Sequence, residues 1–160
     1  MQNIEIKIAL ESGGNIILEL YPEIAPKTVS NFLKLIKQNF YDGIIFHRVI
    51  PDFMIQAGCP EGTGFGGSQE LIFGEFDSNG FSNPLKHTKG VISMARTNEP
   101  NSASSQFFIM VADCEHLDGK YASFGKVKKG YEYCENISKV KRDSKDKPFA
   151  EQKIKTIRIL

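Results

Sequence analysis

Residues 46–56 read Phe-His-Arg-Val-Ile-Pro-Asp-Phe-Met-Ile-Gln and set a permanent cation, Arg48, between Phe46 and Ile50. Past the Pro51-Asp52 turn, Met54 and Gln56 stand two positions apart. Further on, Ser-Ser-Gln-Phe-Phe-Ile-Met places Gln106 and Phe108 at the same interval. Residues two apart in a strand share one face. Two strands therefore each offer an apolar side chain and an amide, close to a guanidinium. A lone strand arginine is ordinarily paired or laid along the sheet surface. Its companions here favour a peptide-binding groove, with apolar side chains for grip and amides for hydrogen bonding.

Other chemistries fit less well. Gly62, Gly64 and Gly67 match the dinucleotide-binding spacing, but the following Ser-Gln-Glu-Leu-Ile-Phe-Gly-Glu-Phe shows no helical period. That motif works only where a helix N-terminus meets the pyrophosphate. Tight turns are the better reading of these glycines. Serines 102, 104 and 105 lie outside any G-x-S-x-G elbow. No spaced carboxylate pair marks an acid–base site. Cys59, Cys114 and Cys134 are odd in number and far apart, which is neither a disulfide framework nor a zinc pattern. Cys114-Glu115-His116 supplies too few ligands for a metal, so no metal and no cofactor are expected. His47 alternates opposite Arg48, so one of the two faces inward. A histidine on an apolar strand is ordinarily a hydrogen-bonded core residue, and His87 receives the same reading.

The elements that must position these residues follow from hydrophobic period. Ile4, Ile6, Ile8 and Leu10 alternate, and so do Ile16, Leu18 and Leu20 beyond Ser12-Gly13-Gly14, which predicts an antiparallel hairpin. From Pro26 the period becomes helical, with Val29, Phe32, Leu33, Ile36 and Phe40 on one side and Tyr41-Asp42-Gly43 as the stop. Short strand-like runs follow near 43–50, 53–58, 90–96, 105–111 and 122–127. A second short helix is expected at 130–140 through Tyr133, Ile137 and Val140. The final Lys-Ile-Lys-Thr-Ile-Arg-Ile-Leu reads as a strand whose apolar parity slips between Ile154 and Ile157, through either a bulge or a late start. Seven or eight strands, two helices and no strand–helix–strand rhythm predict a mainly β fold, a closed eight-stranded antiparallel barrel capped by two α-helices. The irregular stretch at 57–90 is long enough to serve a site.

The 160 residues suit one domain spanning 1–160, with 41% apolar and 24% charged residues. Twenty basic against 19 acidic residues give a net charge of +1, without the basic footprint of nucleic-acid binding. The lysine-rich stretches at 126–130 and 139–147 read as solvated surface. No apolar run is long enough for a membrane span, and the N-terminus lacks a secretory pattern. Reduced thiols then point to the cytoplasm, and the near-neutral charge with no spare apolar helix face to a monomer.

Phe-His-Arg-Val-Ile-Pro-Asp-Phe-Met-Ile-Gln-Ala-Gly, Gly-Thr-Gly-Phe-Gly-Gly-Ser-Gln, Lys-His-Thr-Lys-Gly-Val-Ile-Ser-Met-Ala-Arg, Asn-Ser-Ala-Ser-Ser-Gln-Phe-Phe-Ile and His-Leu-Asp-Gly-Lys-Tyr-Ala-Ser-Phe-Gly-Lys-Val together resemble the cyclophilins, the peptidyl-prolyl cis-trans isomerases. The resemblance runs along essentially the whole chain and looks closest to compact bacterial-type members. It implies an isomerase and folding catalyst or chaperone that acts on proline-containing peptides and partly folded proteins. It also implies a groove on the barrel's outer face. By motif, Arg48 matches the family's catalytic arginine. Phe53, Met54, Phe108 and Leu117 match the proline pocket, Gln56 a groove glutamine, and Ala95, Arg96 and Gln106 the neighbouring subsite, with Arg96 acting mainly through its backbone. His116 stands where better-known members carry tryptophan, Tyr121 where they carry histidine, and Arg96 where they carry asparagine. The missing indole implies weakened cyclosporin binding, while isomerisation depends on residues that are present.

Overall fold

The computed structural model describes residues 2–160. In chain order the elements are β1 (Ile4–Leu10), β2 (Asn15–Leu20), α1 (Pro26–Lys37), β3 (Arg48–Ile50), β4 (Met54–Ala57), β5 (Val91–Met94), β6 (Phe107–Met110), β7 (Ser123–Lys129), α2 (Tyr131–Ser138) and β8 (Ile154–Ile159). One antiparallel sheet runs in the order β3-β4-β6-β5-β7-β2-β1-β8. The hairpin forms as its alternation requires, with Ile6 opposite Leu18 and Ile8 opposite Ile16, all four buried.

Closure is less complete than the sequence reading expects. The two ends of the sheet meet through an isolated bridge, Ile45 with Lys153, rather than a full ladder. Around it, Gly43 N–H donates to Ile154 O at 2.8 Å, Ile154 N–H to Ile44 O at 2.8 Å and Phe46 N–H to Gln152 O at 2.8 Å. The parity slip in β8 is a bulge: Ala9 faces Thr156 and Leu10 faces Ile154, leaving Lys155 as the extra residue. Ile154 and Ile157 both reach the core as a result.

The interior is filled. Phe32 of α1 lies between Tyr41, Phe107 and Phe124, with ring centroids 5.2, 5.4 and 5.1 Å away. The Tyr41 hydroxyl donates to Ser105 O at 2.8 Å, which satisfies the one polar atom of a buried ring. The helix stops at Lys37, earlier than expected, because Asn39 adopts a left-handed conformation. In α2, Cys134 and Ile137 face the core. Tyr133, expected on that face, lies half-exposed over Gly14, where a Cβ would strike its ring.

The start of α1 is capped from a distance. Ala25 offers no side-chain cap. Instead, the fully buried Glu75 carboxylate accepts from Thr28 N–H (2.7 Å), the Thr28 hydroxyl (2.7 Å) and Lys27 N–H (3.2 Å). Pro26 leaves no N–H to satisfy, and an anion suits a helix N-terminus. Glu75 therefore ties the irregular 58–90 stretch to the helix.

His47 and His87 are both buried, but differently. His87 Nδ1 meets Asp118 Oδ1 at 3.0 Å and Nε2 meets Ser93 Oγ at 2.9 Å, the hydrogen-bonded core histidine expected. His47 departs from that expectation, because its Nδ1 has no partner among the described residues. Burial, with the Arg48 and Lys147 cations adding to it, pushes the His47 imidazole down to about 4. Burial also lowers His87, against an opposing pull from Asp118.

Two outcomes follow from these caps and rings. Glu75→Ala strands two N–H groups and a hydroxyl, and is expected to cost about 2–4 kcal/mol in urea unfolding. Glu75→Gln, which keeps an acceptor, is expected to cost about half of that or less. Because the folded chain holds His47 below its ordinary 6.5, the unfolded chain binds the proton more readily. Stability is then intact above pH 6.5 and falls as the pH drops towards 4, by up to about 3 kcal/mol. His47→Asn is expected to flatten that acid slope. An unchanged slope would contradict the assignment.

Candidate active site on the outer face of the barrel

The same alternation that fills the barrel builds a second surface outside it. Val49, Ile55, Ala57, Phe107, Ile109, Ile92 and Met94 point inward. The residues between them point out, and Met54, Val91, Phe108 and Met110 form a separate apolar cluster with Leu117. Strand register aligns one row across this face. Arg48 pairs with Gln56, Gln56 with Phe108, and Phe108 with Ser93. Neighbouring strands lie about 4.8 Å apart, so the backbones of Arg48 and Phe108 sit two strand spacings from each other.

Much of this face is covered. Met54 is 2% and Phe108 5% exposed. The short turn Glu115–Leu117 and the following residues fold over them, bringing Leu117 and Tyr121 against the cluster. What remains is a cavity of about 170 Å³ lined by Arg48, Phe53, Met54, Gln56, Ala95, Arg96, Phe108, Leu117 and Tyr121. Phe108 and Tyr121 meet edge to face at 5.6 Å, and His87 stacks beneath Phe108 at 6.0 Å. The buried histidine thus supports the cavity floor. The tight turn that joins β3 to β4 uses Asp52 at φ 60°, a conformation that aspartate tolerates better than most residues.

Polar groups run along one edge in a single direction. Arg48 Nη1 donates to Gln56 Oε1 at 3.3 Å. Gln56 Nε2 donates to Gln106 Oε1 at 2.9 Å. Gln106 Nε2 donates to Gly64 O at 2.9 Å and to Gly66 O at 2.8 Å. Each amide is held at both ends, which settles its orientation. Arg48 itself is exposed, and no carboxylate pairs with it among the described residues.

Arg96 is arranged differently. Its Nε and Nη2 donate to Lys120 O at 2.9 and 2.7 Å, and Nη1 donates to Thr97 O at 2.8 Å. The guanidinium lies between the Phe76 and Tyr121 rings at 4.7 and 4.9 Å. Each of its three nitrogens donates to a backbone carbonyl, which fixes it as a wall. His116 stands apart from the lining residues, exposed, with its ring nitrogens 3.3 and 3.4 Å from Cys114 Sγ.

A second cavity, of about 310 Å³, shares Gln56, Ala95 and Arg96 with the first. It adds Gln106, Thr97, Ser102, Ser104, Leu71 and the 64–68 loop. Gly62 and Gly64 take positive φ as expected, but Gly67 does not. Its role is close approach, since a Cβ there would fall 2.4 Å from Ser104 Oγ. Motif reading missed Phe65, Leu71 and Ser102 as lining residues. No period marks them, because a loop brings them together.

The chain is similar along nearly its whole length to proteins of one family. The family model described as cyclophilin type peptidyl-prolyl cis-trans isomerase/CLD matches residues 5–159. The peptidyl-prolyl cis-trans isomerase ppi1 of Schizosaccharomyces pombe is 46% identical over 155 residues, covering 96% of each chain. A peptidyl-prolyl cis-trans isomerase-like 1 of Gibberella zeae is 47% identical, covering 96% of this chain and 94% of its own. A Cryptosporidium parvum cyclophilin type peptidyl-prolyl cis-trans isomerase superposes with a TM-score of 0.91 at 33% identity, covering 99% of this chain and 98% of its own. A structure of the latter protein in the presence of the dipeptide Ala-Pro gives 0.89 at 34% identity, with 98% coverage of both chains. By its fold and by these likenesses, the chain belongs to the cyclophilin-type peptidyl-prolyl cis-trans isomerases.

Proposed function

We propose that this isomerase turns Xaa-Pro peptide bonds in the 170 Å³ cavity, with Arg48 as the catalytic group and the apolar cluster as the holder of the proline ring. One observation carries the reading. The unpaired guanidinium is held by Gln56 at the rim of a cavity floored by Met54, Phe108 and Leu117. The Ala-Pro dipeptide present with the Cryptosporidium relative supports a proline-containing ligand.

Rotation about a peptide bond is opposed by about 18–20 kcal/mol, because its C–N bond is partly double. A turnover of about 10³ per second needs roughly a 10⁵-fold acceleration, or about 7 kcal/mol. No covalent bond forms or breaks, so neither nucleophile nor cofactor is called for. As the amide twists, its nitrogen loses conjugation and becomes a better acceptor. Arg48 donates to that nitrogen, or to the rotating carbonyl oxygen, more strongly than to the planar ground state, which is the condition for lowering the barrier. Arginine suits the task because its charge is permanent and its donors are rigidly arranged. Phe53, Met54, Phe108 and Leu117 grip the pyrrolidine ring, each buried CH₂ contributing about 0.8 kcal/mol. Gln56, Gln106 and the backbone at Ala95 and Arg96 hold the flanking peptide.

Within the cell this activity serves protein folding or chaperoning, on proline-containing segments of partly folded chains. Three free thiols and nearly balanced charge fit a cytoplasmic monomer. Among the described residues no helix is long and apolar enough to cross a membrane.

Arg48→Ala is expected to lower proline-peptide exchange by roughly 10²–10³-fold. Because the side chain is exposed and its hydrogen-bond partner among the described residues is Gln56 alone, unfolding should shift little. Equal activity in a protease-coupled assay or in NMR exchange on an Ala-Pro peptide would sink the role. Cyclosporin should bind weakly, and His116→Trp is expected to tighten it by about tenfold, near 1.4 kcal/mol, in calorimetric titration.

A further inference from the structure

The basic stretch at 139–147 plays no part in the groove. It holds five basic residues against two acidic ones. Within it, Lys-Arg-Asp-Ser at 141–144 puts cations two and three positions before a serine, and no other serine or threonine of the chain has both. Lys141, Ser144, Lys145 and Lys147 are exposed.

The turn that carries Ser144 is closed by its neighbours. The Asp143 carboxylate accepts from Lys145 N–H at 2.8 Å and from Lys147 N–H at 3.0 Å. Asp143 N–H donates to Lys147 O at 2.9 Å. A bridge between Arg142 and Pro148, with Phe149 N–H donating to Lys141 O at 3.0 Å, closes the stem. Ser144 therefore stands at the tip of a small hairpin. Asp146 joins that hairpin to the active face. Its side chain accepts from Arg142 Nε at 3.2 Å, and its carbonyl accepts from Val49 N–H at 2.8 Å. Val49 follows Arg48 in β3. Asp146 holds a left-handed φ of 66°, a conformation that persists only where its surroundings fix it. The Arg142–Asp146 pair is about one-third exposed on each side. An ion pair that open to water is weak, so a stronger anion nearby can draw Arg142 away.

We propose that Ser144 is a phosphorylation site for a protein kinase that reads basic residues, and that its phosphate loosens β3 through Asp146. Such a kinase offers carboxylates to cations upstream of its target hydroxyl, and Lys141 and Arg142 supply them. In the step, Ser144 Oγ attacks the γ-phosphorus of ATP. The new O–P bond forms as the bond to the ADP oxygen breaks, and the hydroxyl proton leaves through the kinase's base. ATP arrives with the kinase, and nothing is oxidised or reduced. The product carries about two negative charges at pH 7, next to Lys145 and two positions from Arg142. A phosphate facing such cations forms charge-assisted hydrogen bonds. Arg142 turns to it from Asp146, and the Val49 N–H bond to Asp146 O slackens. The modification itself is independent of the proline-groove reading. Its effect on turnover rests on the role proposed there for Arg48.

The test incubates the full chain with ATP and the catalytic subunit of cyclic-AMP-dependent protein kinase, a kinase of this class. A single phosphate is expected at Ser144 by peptide mass spectrometry. Ser144→Ala is expected to abolish it, and Arg142→Ala to lower kcat/KM for phosphorylation by about tenfold or more. In the phosphorylated protein, Val49 N–H is expected to exchange with solvent about tenfold faster by NMR. Proline-peptide exchange is expected to fall roughly threefold or more, and phosphatase treatment to restore both. No phosphate at Ser144, or incorporation that Arg142→Ala leaves unchanged, overturns the site. Phosphate at Ser144 with Val49 exchange unaltered overturns the connection to β3. Faster Val49 exchange with unchanged turnover upholds the site and its connection, and the role given to Arg48 is then the part that fails.

Discussion

A barrel whose interior is packed with aromatic rings has no room for a ligand. Phe32, Tyr41, Phe107 and Phe124 occupy the space that larger barrels leave for one. This single constraint leaves the outer face as the surface open to a ligand. It also determines which residues are available there, since successive strand residues must alternate between the two faces. Phe107 goes in and Phe108 goes out; Ile55 goes in and Met54 and Gln56 go out. A one-residue slip of β4 or β6 would exchange core for site.

The outer face resolves into two kinds of support. Apolar side chains are backed by packing, with Phe108 resting on His87, which is in turn fixed between Asp118 and Ser93. Polar side chains are backed by direction, each amide donating onward from Arg48 towards the 64–66 loop. The two arginines show how context divides one residue type into two uses. Arg96 gives its donors to carbonyls and its faces to rings. Arg48 keeps most of its donors free towards solvent.

The hairpin, the first helix, the strand count and the bulge alternative in β8 were all legible in the sequence, because period and parity are properties of neighbouring residues. Arg48, Met54, Gln56, Gln106 and Phe108 shared a face for the same reason. What could not be read came from distance along the chain. Glu75 caps a helix that begins 49 positions before it, and no local pattern announces such a cap. Tyr133 kept helical spacing yet found its place over Gly14 instead of the core. His116 belonged to a motif, yet its ring turned to Cys114. The 64–71 rim was invisible because loops carry no period.

The strand that bears Arg48 is three residues long and lies at one end of the ladder. Its outer neighbour is an irregular segment, joined to it by Val49 N–H to Asp146 O at 2.8 Å and, just upstream, by Phe46 N–H to Gln152 O. Sheet margins with few ladder bonds separate at lower free energy than sheet centres. The backbone that carries the guanidinium therefore belongs to such a margin. Substitutions along 146–152 would shift the backbone that carries Arg48 through main-chain geometry, without altering any side chain that lines the cavity.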